Sequence, residues 1–383
     1  MTTSQSASRA GRRKGSLLLC LLLCALGLGI SAAAQSITTF DAPGAGTGPG
    51  QGTFAFGMTP SQVIEGYYID GNGAFHGFLR ASNGAITTFD ASEAGTGAGQ
   101  GTQPYSINPA GATTGFYIDA TGLSHGFVRA ADGSIISFDA PGAGRPLSCP
   151  PPLICSNGTQ GASINPAGAI AGQYVDTNGV FHGLLRSPDG TITTFDAPGA
   201  GTTLGQGTLA VFADGINPEG AIAAGFVDAS GVAHPAVRAH DGTFTEFDVL
   251  QGSPFTDNSG ITPSGTVASF YADTNFAYHG YVRSPDGTIT LFDVTGAGTG
   301  PFQGTISENI NASGAIAGTY VDGNGVNHGF LRLTTGAITT FDVPGAGSGN
   351  GEGTIPIFNN PANAISGFEI DRNGVAHGFL RTP

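Results

Sequence analysis

A unit of about fifty residues recurs along the chain, and this repetition limits the possible folds more than any other feature. Ile, Val, Phe and Tyr alternate with small and polar residues in each unit, and no amphipathic helical stretch is visible beyond residue 34. This alternation predicts ordered β-structure. Each unit is marked by a Phe-Asp dipeptide, with steps of 45 to 57 residues between Phe40, Phe89, Phe138, Phe195, Phe247, Phe292 and Phe341.

Each unit divides into four short strands, which we name A to D. In the third unit, A ends at SINPAG, B reads AIAGQYVD, C reads FHGLLR and D reads TITTFD. The D-x-N-G turn between B and C and the S-P-D-G turn between C and D both suit type I turns with a glycine bulge. Strands this short, with turns this frequent, exclude a parallel α/β design. The sequence therefore predicts an all-β fold, a seven-bladed β-propeller of four-stranded antiparallel blades, with an open β-solenoid as the alternative.

The two ends of the repeat array complement each other. Residues 37–41 form a lone strand D, whereas the last unit stops after its strand C. Pairing these strands would close the ring and cover two sheet edges that an open array exposes. We therefore expect the N-terminal strand to join the last blade.

A histidine in strand C and an aspartate at the end of strand D recur at an offset of fourteen residues. The turn lengths place the two side chains opposite each other on neighbouring strands, about 5 Å apart. Tyrosine in strand B occupies the other side of the histidine in five units, and Phe226 and Glu369 take its place in the fourth and seventh. We number the repeats 1 to 7 in the order of their histidines. The predicted pairs are, in that order, His76 with Asp90, His125 with Asp139, His182 with Asp196, His234 with Asp248, His279 with Asp293, His328 with Asp342, and His377 with Asp41.

These rows have two interpretations. A histidine–aspartate couple serves as the acid–base pair of catalytic triads. A half-buried imidazole also needs hydrogen-bond partners for both ring nitrogens, which neighbouring strands can supply. Because the same row recurs in every repeat and none adds a nucleophile, we interpret the rows as structural and predict no catalytic residue.

The first 34 residues predict a signal peptide. Four basic residues precede an apolar run from Leu17, and Ala32 to Ala34 provide a cleavage site. A lipoprotein cleaved before Cys20 or Cys24 is the alternative. Residues 35–383 would then form the mature domain, secreted, periplasmic or at the cell surface, with a net charge of −18 and no lysine. Such a chain repels nucleic acid and anionic membranes.

Two cysteines remain in the predicted mature chain. Cys149 and Cys155 lie in an insertion of repeat 3, at about 145–156, that the other repeats lack. In an exported protein this spacing predicts a local disulfide that staples a loop.

The strand C motifs HGFLR, HGFVR, HGLLR and HGYVR, with their surrounding glycine and aspartate spacing, resemble the bacterial extracellular repeats of the HAF type. The resemblance covers nearly all of residues 35–383, although the central Ala of the family's His-Ala-Phe core is glycine in six copies and Pro235 in the fourth. It implies export and a repeat fold, and no particular biochemical activity.

The D–A loops and B–C turns share one face of such a propeller, where binding sites usually lie. We predict a non-catalytic binding module for a glycan, peptide or matrix polymer, acting as a monomer, with no cofactor. A structural or adhesive envelope protein and a propeller hydrolase or lyase are the alternatives, and calcium at the D-x-N-G turns is a further one. The candidate acids of this face are Asp70, Asp119, Asp176, Asp228, Asp273, Asp322 and Asp371.

Overall fold

The structure is a computed structural model that describes residues 35–145, 157–209, 215–249, 255–256 and 260–383. Every helix or strand named in these ranges is a β-strand, and we number them β1 to β29. Within the same ranges, no helix is long and apolar enough to cross a membrane. The predicted signal peptide and the predicted Cys149–Cys155 disulfide lie outside the described residues and stay predictions.

The strands follow the four positions of the repeat. Position A holds β2 (Gly52–Met58), β6 (Gly101–Ile107), β10 (Gly158–Ile164), β14 (Gly207–Leu209), β18 (Phe255–Thr256), β19 (Gly260–Ile261), β23 (Gly304–Ile310) and β27 (Gly353–Asn359). Position B holds β3 (Ile64–Ile69), β7 (Thr113–Ile118), β11 (Ile170–Val175), β15 (Ile222–Val227), β20 (Val267–Ala272), β24 (Ile316–Val321) and β28 (Ile365–Ile370). Position C holds β4 (Phe75–Arg80), β8 (Ser124–Arg129), β12 (Phe181–Arg186), β16 (Ala233–Arg238), β21 (Tyr278–Arg283), β25 (Asn327–Arg332) and β29 (Ala376–Thr382). Position D holds β1 (Ser36–Phe40), β5 (Ile86–Phe89), β9 (Ile135–Phe138), β13 (Ile192–Phe195), β17 (Phe244–Glu246), β22 (Ile289–Phe292) and β26 (Ile338–Phe341).

Neighbouring strands of one repeat pair antiparallel in the order A, B, C, D. In repeat 3, β10 pairs with β11, β11 with β12, and β12 with β13. Tyr174 lies opposite His182, and Gly183 lies opposite Phe195. This register is the one that the turn lengths predict.

Adjacent repeats touch where strand C of one meets the first residue of strand A in the next. Gly52 pairs in parallel with Ala376, and Gly101 pairs in the same way with Phe75. Gly52 has a φ of 114°, and a Cβ atom there would lie 2.1 Å from the Ala376 carbonyl oxygen. Only glycine permits both this conformation and this approach.

The core lies between repeats. Phe78 of β4 is fully buried, and it packs in one cluster with Ala364 and Leu380 of repeat 7. An arginine at the end of strand C, or one residue before the end in β29, lies over the strand D phenylalanine of the preceding repeat, as Arg129 does over Phe89 at 4.8 Å. Apolar burial and cation–π contact therefore both join one repeat to the next.

Strand β1 lies beside the last strand of the chain. It pairs antiparallel with β29 over five residue pairs, from Ser36 opposite Thr382 to Phe40 opposite Gly378. Arg80 of repeat 1 then lies over Phe40 at 4.8 Å. The N-terminal strand thus occupies position D beside repeat 7.

Candidate functional site

Six of the seven row histidines lie between two carboxylates. The Nδ1 atom of His76 lies 3.0 Å from Asp90 Oδ2, and its Nε2 atom lies 3.8 Å from Asp70 Oδ2. The Nδ1 atom has the same strand D partner in five further repeats: His125 with Asp139 at 3.0 Å, His182 with Asp196 at 2.8 Å, His279 with Asp293 at 3.0 Å, His328 with Asp342 at 2.9 Å, and His377 with Asp41 at 2.8 Å. The Nε2 atom lies 3.3 to 3.8 Å from the turn acid in five more: His125 and Asp119, His182 and Asp176, His234 and Asp228, His279 and Asp273, and His328 and Asp322.

The strand B aromatic ring stacks on the imidazole. Tyr174 and His182 have centroids 4.8 Å apart and planes 18° apart. Phe226 stacks on His234 in the same way, at 4.9 Å and 18°. The hydroxyl group is therefore not needed for this contact, and the rows of repeats 1 to 6 are each a carboxylate–imidazole–carboxylate set with a ring against its face.

The turn acids close their own B–C turns. Asp70 Oδ1 accepts hydrogen bonds from the backbone N–H groups of Asn72 and Ala74, both at 2.8 Å. The equivalent bond from the Ala277 N–H is the largest effect holding the pKa of Asp273 below its ordinary value. Turn formation accounts for the aspartate and asparagine of these motifs. The same acceptor role is filled by Asp119, Asp176, Asp228, Asp273, Asp322 and Asp371.

The strand D acids are the more accessible members of the rows. Six of them are 48% to 60% exposed, whereas their histidines are 18% to 28% exposed. Asp90 and its equivalents therefore present carboxylate oxygens to solvent, with an imidazole behind each. Such a surface can accept hydrogen bonds or hold cationic groups.

Repeat 4 departs from the predicted pairing. His234 Nδ1 lies 3.1 Å from Glu246 Oε1 and 3.9 Å from Asp248 Oδ1, so Glu246 replaces the predicted partner as the nearer acid. Pro235 stands where other repeats have glycine and has no N–H group for the strand ladder. Strand β17 accordingly ends at Glu246, one residue earlier than most D strands. The signal was present in the sequence, because the other D strands have Thr, Ser or Leu at the position of Glu246.

The same departure brings three potential metal ligands together. Side-chain ligand atoms of His234, Glu246 and Asp248 all lie within 4.8 Å of one another, the one such group among the described residues. An imidazole with two carboxylates suits a divalent transition metal better than the all-oxygen coordination that calcium prefers.

Repeat 7 departs in a different way, because Glu369 takes the place of the stacked ring. Glu369 is 3% exposed, and its burial raises its pKa to about 7. Its Oε2 atom has no hydrogen-bond partner among the described residues. A buried carboxyl group with a raised pKa thus lies opposite His377 in the strand register.

A cavity of about 170 Å³ lies at the A–B turns, at the opposite end of the strands from the predicted binding face. Its lining includes Ile107, Ile164 and Ile216. The Asn108 Nδ2 group donates a hydrogen bond to the Asn165 backbone carbonyl at 3.3 Å. The asparagine side chain of one A–B turn therefore bonds to the next A–B turn. The cavity is smaller than typical small-molecule sites of about 300–1,000 Å³. We therefore place the candidate site on the loop face.

Comparison with known proteins gives a likeness of fold. A scan against models of protein families finds no match, and no curated protein matches the sequence. Selenomethionine-substituted virginiamycin B lyase from Staphylococcus aureus is similar in structure, with 12% identity, a TM-score of 0.52, and coverage of 91% of this chain and 100% of that chain. TolB from Acinetobacter baumannii matches with 11% identity, a TM-score of 0.42, and coverage of 91% and 80%. The BP39L lectin from Burkholderia pseudomallei matches with 14% identity, a TM-score of 0.47, and coverage of 74% and 82%. These proteins are β-propellers, and the likeness to the lyase concerns the fold alone: the chain is an all-β protein of the β-propeller type.

Proposed function

We propose that the chain is an exported, closed, seven-bladed β-propeller whose loop face is a non-catalytic binding surface. Support for the closed ring comes from contacts on both sides of β1. It pairs with β29 as other D strands pair with their C strands. Phe40 also meets Arg80 and Phe78 of repeat 1 at 4.8 and 6.1 Å, as Phe89 meets Arg129 and Phe127 of repeat 2 at 4.8 and 6.3 Å.

One observation carries the assignment of a binding surface, namely the repetition of the carboxylate–imidazole–carboxylate set around the loop face. An active site requires a nucleophile or a perturbed acid in one place. Here the same acceptor set recurs with nearly the same distances, as at His76, His182 and His328. Repeated equivalent positions suit a ligand that is itself repetitive, and their combined occupancy raises the overall affinity.

The class of ligand follows from the charge and location. The mature domain would carry a net charge of −18, which disfavours anionic polymers. A glycan, peptide or matrix polymer outside the cytoplasm fits this surface. The proposal includes membership of the HAF-type repeats, export through residues 1–34, and a monomeric state.

The experiment is to screen the mature domain, residues 35–383, on arrays of glycans, peptidoglycan fragments and peptides, with and without calcium. We expect a ligand whose binding is lost when several strand D acids, such as Asp90, Asp196 and Asp342, are changed to asparagine. Matched changes of exposed turn acids on the opposite face, Asp132 and Asp189, provide the control. Failure to capture any ligand class would contradict the proposal.

Repeat 4 supports a second candidate function, that of a hydrolase or lyase. His234 lies between Glu246 and Asp228, and Asp248 is within reach of both Glu246 and the imidazole. An active site normally lies in one copy of a repeat that differs from the other copies, and repeat 4 differs in this way. Hydrolysis or elimination of an array ligand, abolished by His234→Ala and retained by His182→Ala, would favour the enzyme over the binding module.

A further inference from the structure

Two phenylalanines occupy backbone positions that glycine fills in six other B–C turns and in four other D–A loops. Phe276 and Phe302 both have a φ of 62°, in the left-handed region. A bulky side chain with this backbone is an outlier. The equivalent glycines have φ values of 74° to 85°: Gly73, Gly122, Gly179, Gly231, Gly325 and Gly374 in the B–C turn, and Gly50, Gly99, Gly205 and Gly351 in the D–A loop.

The two positions touch each other. The Phe302 N–H group donates a hydrogen bond to the Phe276 carbonyl oxygen at 2.8 Å, as Gly351 does to Gly325. The phenylalanine rings lie 6.1 Å apart at 36°, and Tyr278 lies 6.4 Å from Phe302. Both residues of this hydrogen-bonded contact between the D–A loop and the B–C turn are therefore phenylalanine, where the equivalent contact pairs two glycines.

Neither packing nor conformation accounts for these side chains. Phe276 is 46% exposed and Phe302 is 66% exposed, the largest value among the exposed large hydrophobic residues described. Exposed rings bury little area, and left-handed backbone at a non-glycine residue costs stability. Strained residues of this kind cluster at ligand-binding positions.

The surroundings of the pair are acidic. Asp273 closes the turn that presents Phe276. The loop that carries Phe302 bonds to the next B–C turn, because the Gln303 Nε2 group donates to the Gly323 carbonyl beside Asp322. Residues 284–331 contain no lysine or arginine. An aromatic surface within a field of carboxylates attracts cations and repels anions.

We propose that Phe276 and Phe302 form an aromatic clamp for arginine or lysine side chains of a cationic polypeptide bound across the loop face. This inference rests on the proposed function and specifies its ligand. The rings contribute cation–π contact and apolar area, and the strand D and turn acids contribute the attractive field.

The test measures binding of the mature domain to a labelled peptide that alternates glycine with arginine. Matched peptides carry glutamate or serine in place of arginine, and a neutral oligosaccharide tests the glycan alternative. We expect binding of the arginine peptide alone, weakening as salt is raised. The double variant Phe276→Gly, Phe302→Gly should bind roughly tenfold more weakly or worse. Its Tm should be unchanged or higher, because glycine relieves the left-handed strain.

The matched control is Leu291→Thr, which removes an exposed leucine on β22, 48% accessible, at a position that holds threonine in repeats 1, 3 and 6. This variant should bind normally. Equal binding of the serine peptide, preference for the oligosaccharide, or a wild-type dimer that the double variant abolishes would each overturn the clamp. If the wild type captures an array ligand that the double variant retains, the clamp is wrong while the binding module stands.

Discussion

At the scale of single residues, the imidazole of each row joins three strands of its repeat. His125 bonds to Asp139 from strand D, faces Asp119 from the B–C turn and stacks on Tyr117 from strand B. Removing the ring leaves two carboxylates near each other and uncovers the tyrosine face. These losses are structural, and they are the same in repeats far apart in the chain.

We therefore expect His125→Ala and His328→Ala to lower the free energy of unfolding by similar amounts, on the order of 1–2 kcal/mol. His234→Ala should lower the free energy of unfolding by about the same amount, because Phe226 stacks on the imidazole as tyrosine does in the other repeats. Chemical denaturation of the variants measures this, with Ile136→Ser, at an exposed site, as the neutral control. A histidine whose loss leaves stability intact but removes an activity would make its repeat catalytic.

Glu65 is a second residue whose effect is local and predictable. It is fully buried in β3, with Oε1 accepting the Gly57 N–H at 2.8 Å, and burial raises its pKa to about 8 from 4.5. The folded state then holds a proton that the unfolded state releases above pH 4.5. The contribution of Glu65 to the free energy of unfolding is therefore fully present below that pH, and it is lost as the pH rises to about 8.

We expect Glu65→Gln to remove most of this pH dependence. At alkaline pH the variant should have a free energy of unfolding higher than that of the wild type by an amount on the order of 3–5 kcal/mol. Denaturation of wild type and variant across the acid-to-alkaline range measures it. Glu219→Gln, at an exposed turn, should leave the wild-type profile unchanged. Parallel profiles for wild type and Glu65→Gln would show that Glu65 ionises freely in the folded protein.

At the scale of elements, most of the strand pattern was predictable, because it depends on local turns. The loop lengths around Thr177-Asn178-Gly179 and Pro188-Asp189-Gly190 set the register that places Tyr174 opposite His182. The partner of His234 was not predictable from the repeat alone, since a single proline changes how far β17 pairs. Phe276 and Phe302 were visible in the sequence as exceptions to glycine, but their mutual contact depends on the packing of one repeat against the next.

The role of the proline can be tested directly. Pro235→Gly should extend the pairing of β16 with β17 past the Ala236–Glu246 pair, because residue 235 regains an N–H donor. We expect the new amide at residue 235 to be protected from hydrogen exchange by the Phe247 carbonyl, and Asp248 to replace Glu246 beside His234. Val237→Thr in the same strand keeps the proline and serves as control. If Glu246 stays the nearer acid in Pro235→Gly, the proline is not the cause.

At the scale of the whole molecule, we expect stability to depend on β1, which is distant in sequence from its partner β29. Deleting residues 35–42 removes all five pairs between β1 and β29, the Asp41 partner of His377, and the Phe40 ring beneath Arg80. It also leaves the edge of β29 without its neighbour. We expect a marked fall in Tm and a greater tendency to aggregate, since exposed strand edges template further pairing.

The matched control restores the strand at the other end of the chain. Moving residues 35–42 to follow Pro383, joined by the S-P-D-G turn that links strands C and D in repeat 3, makes the distant pairing local. This permuted chain should regain most of the lost Tm, because loop closure is the main difference between the two connections. A truncated chain that melts like the full-length domain would contradict the proposed closure of the ring by β1. A permuted chain that stays destabilised would mean that the position of the strand in the sequence matters beyond its pairing.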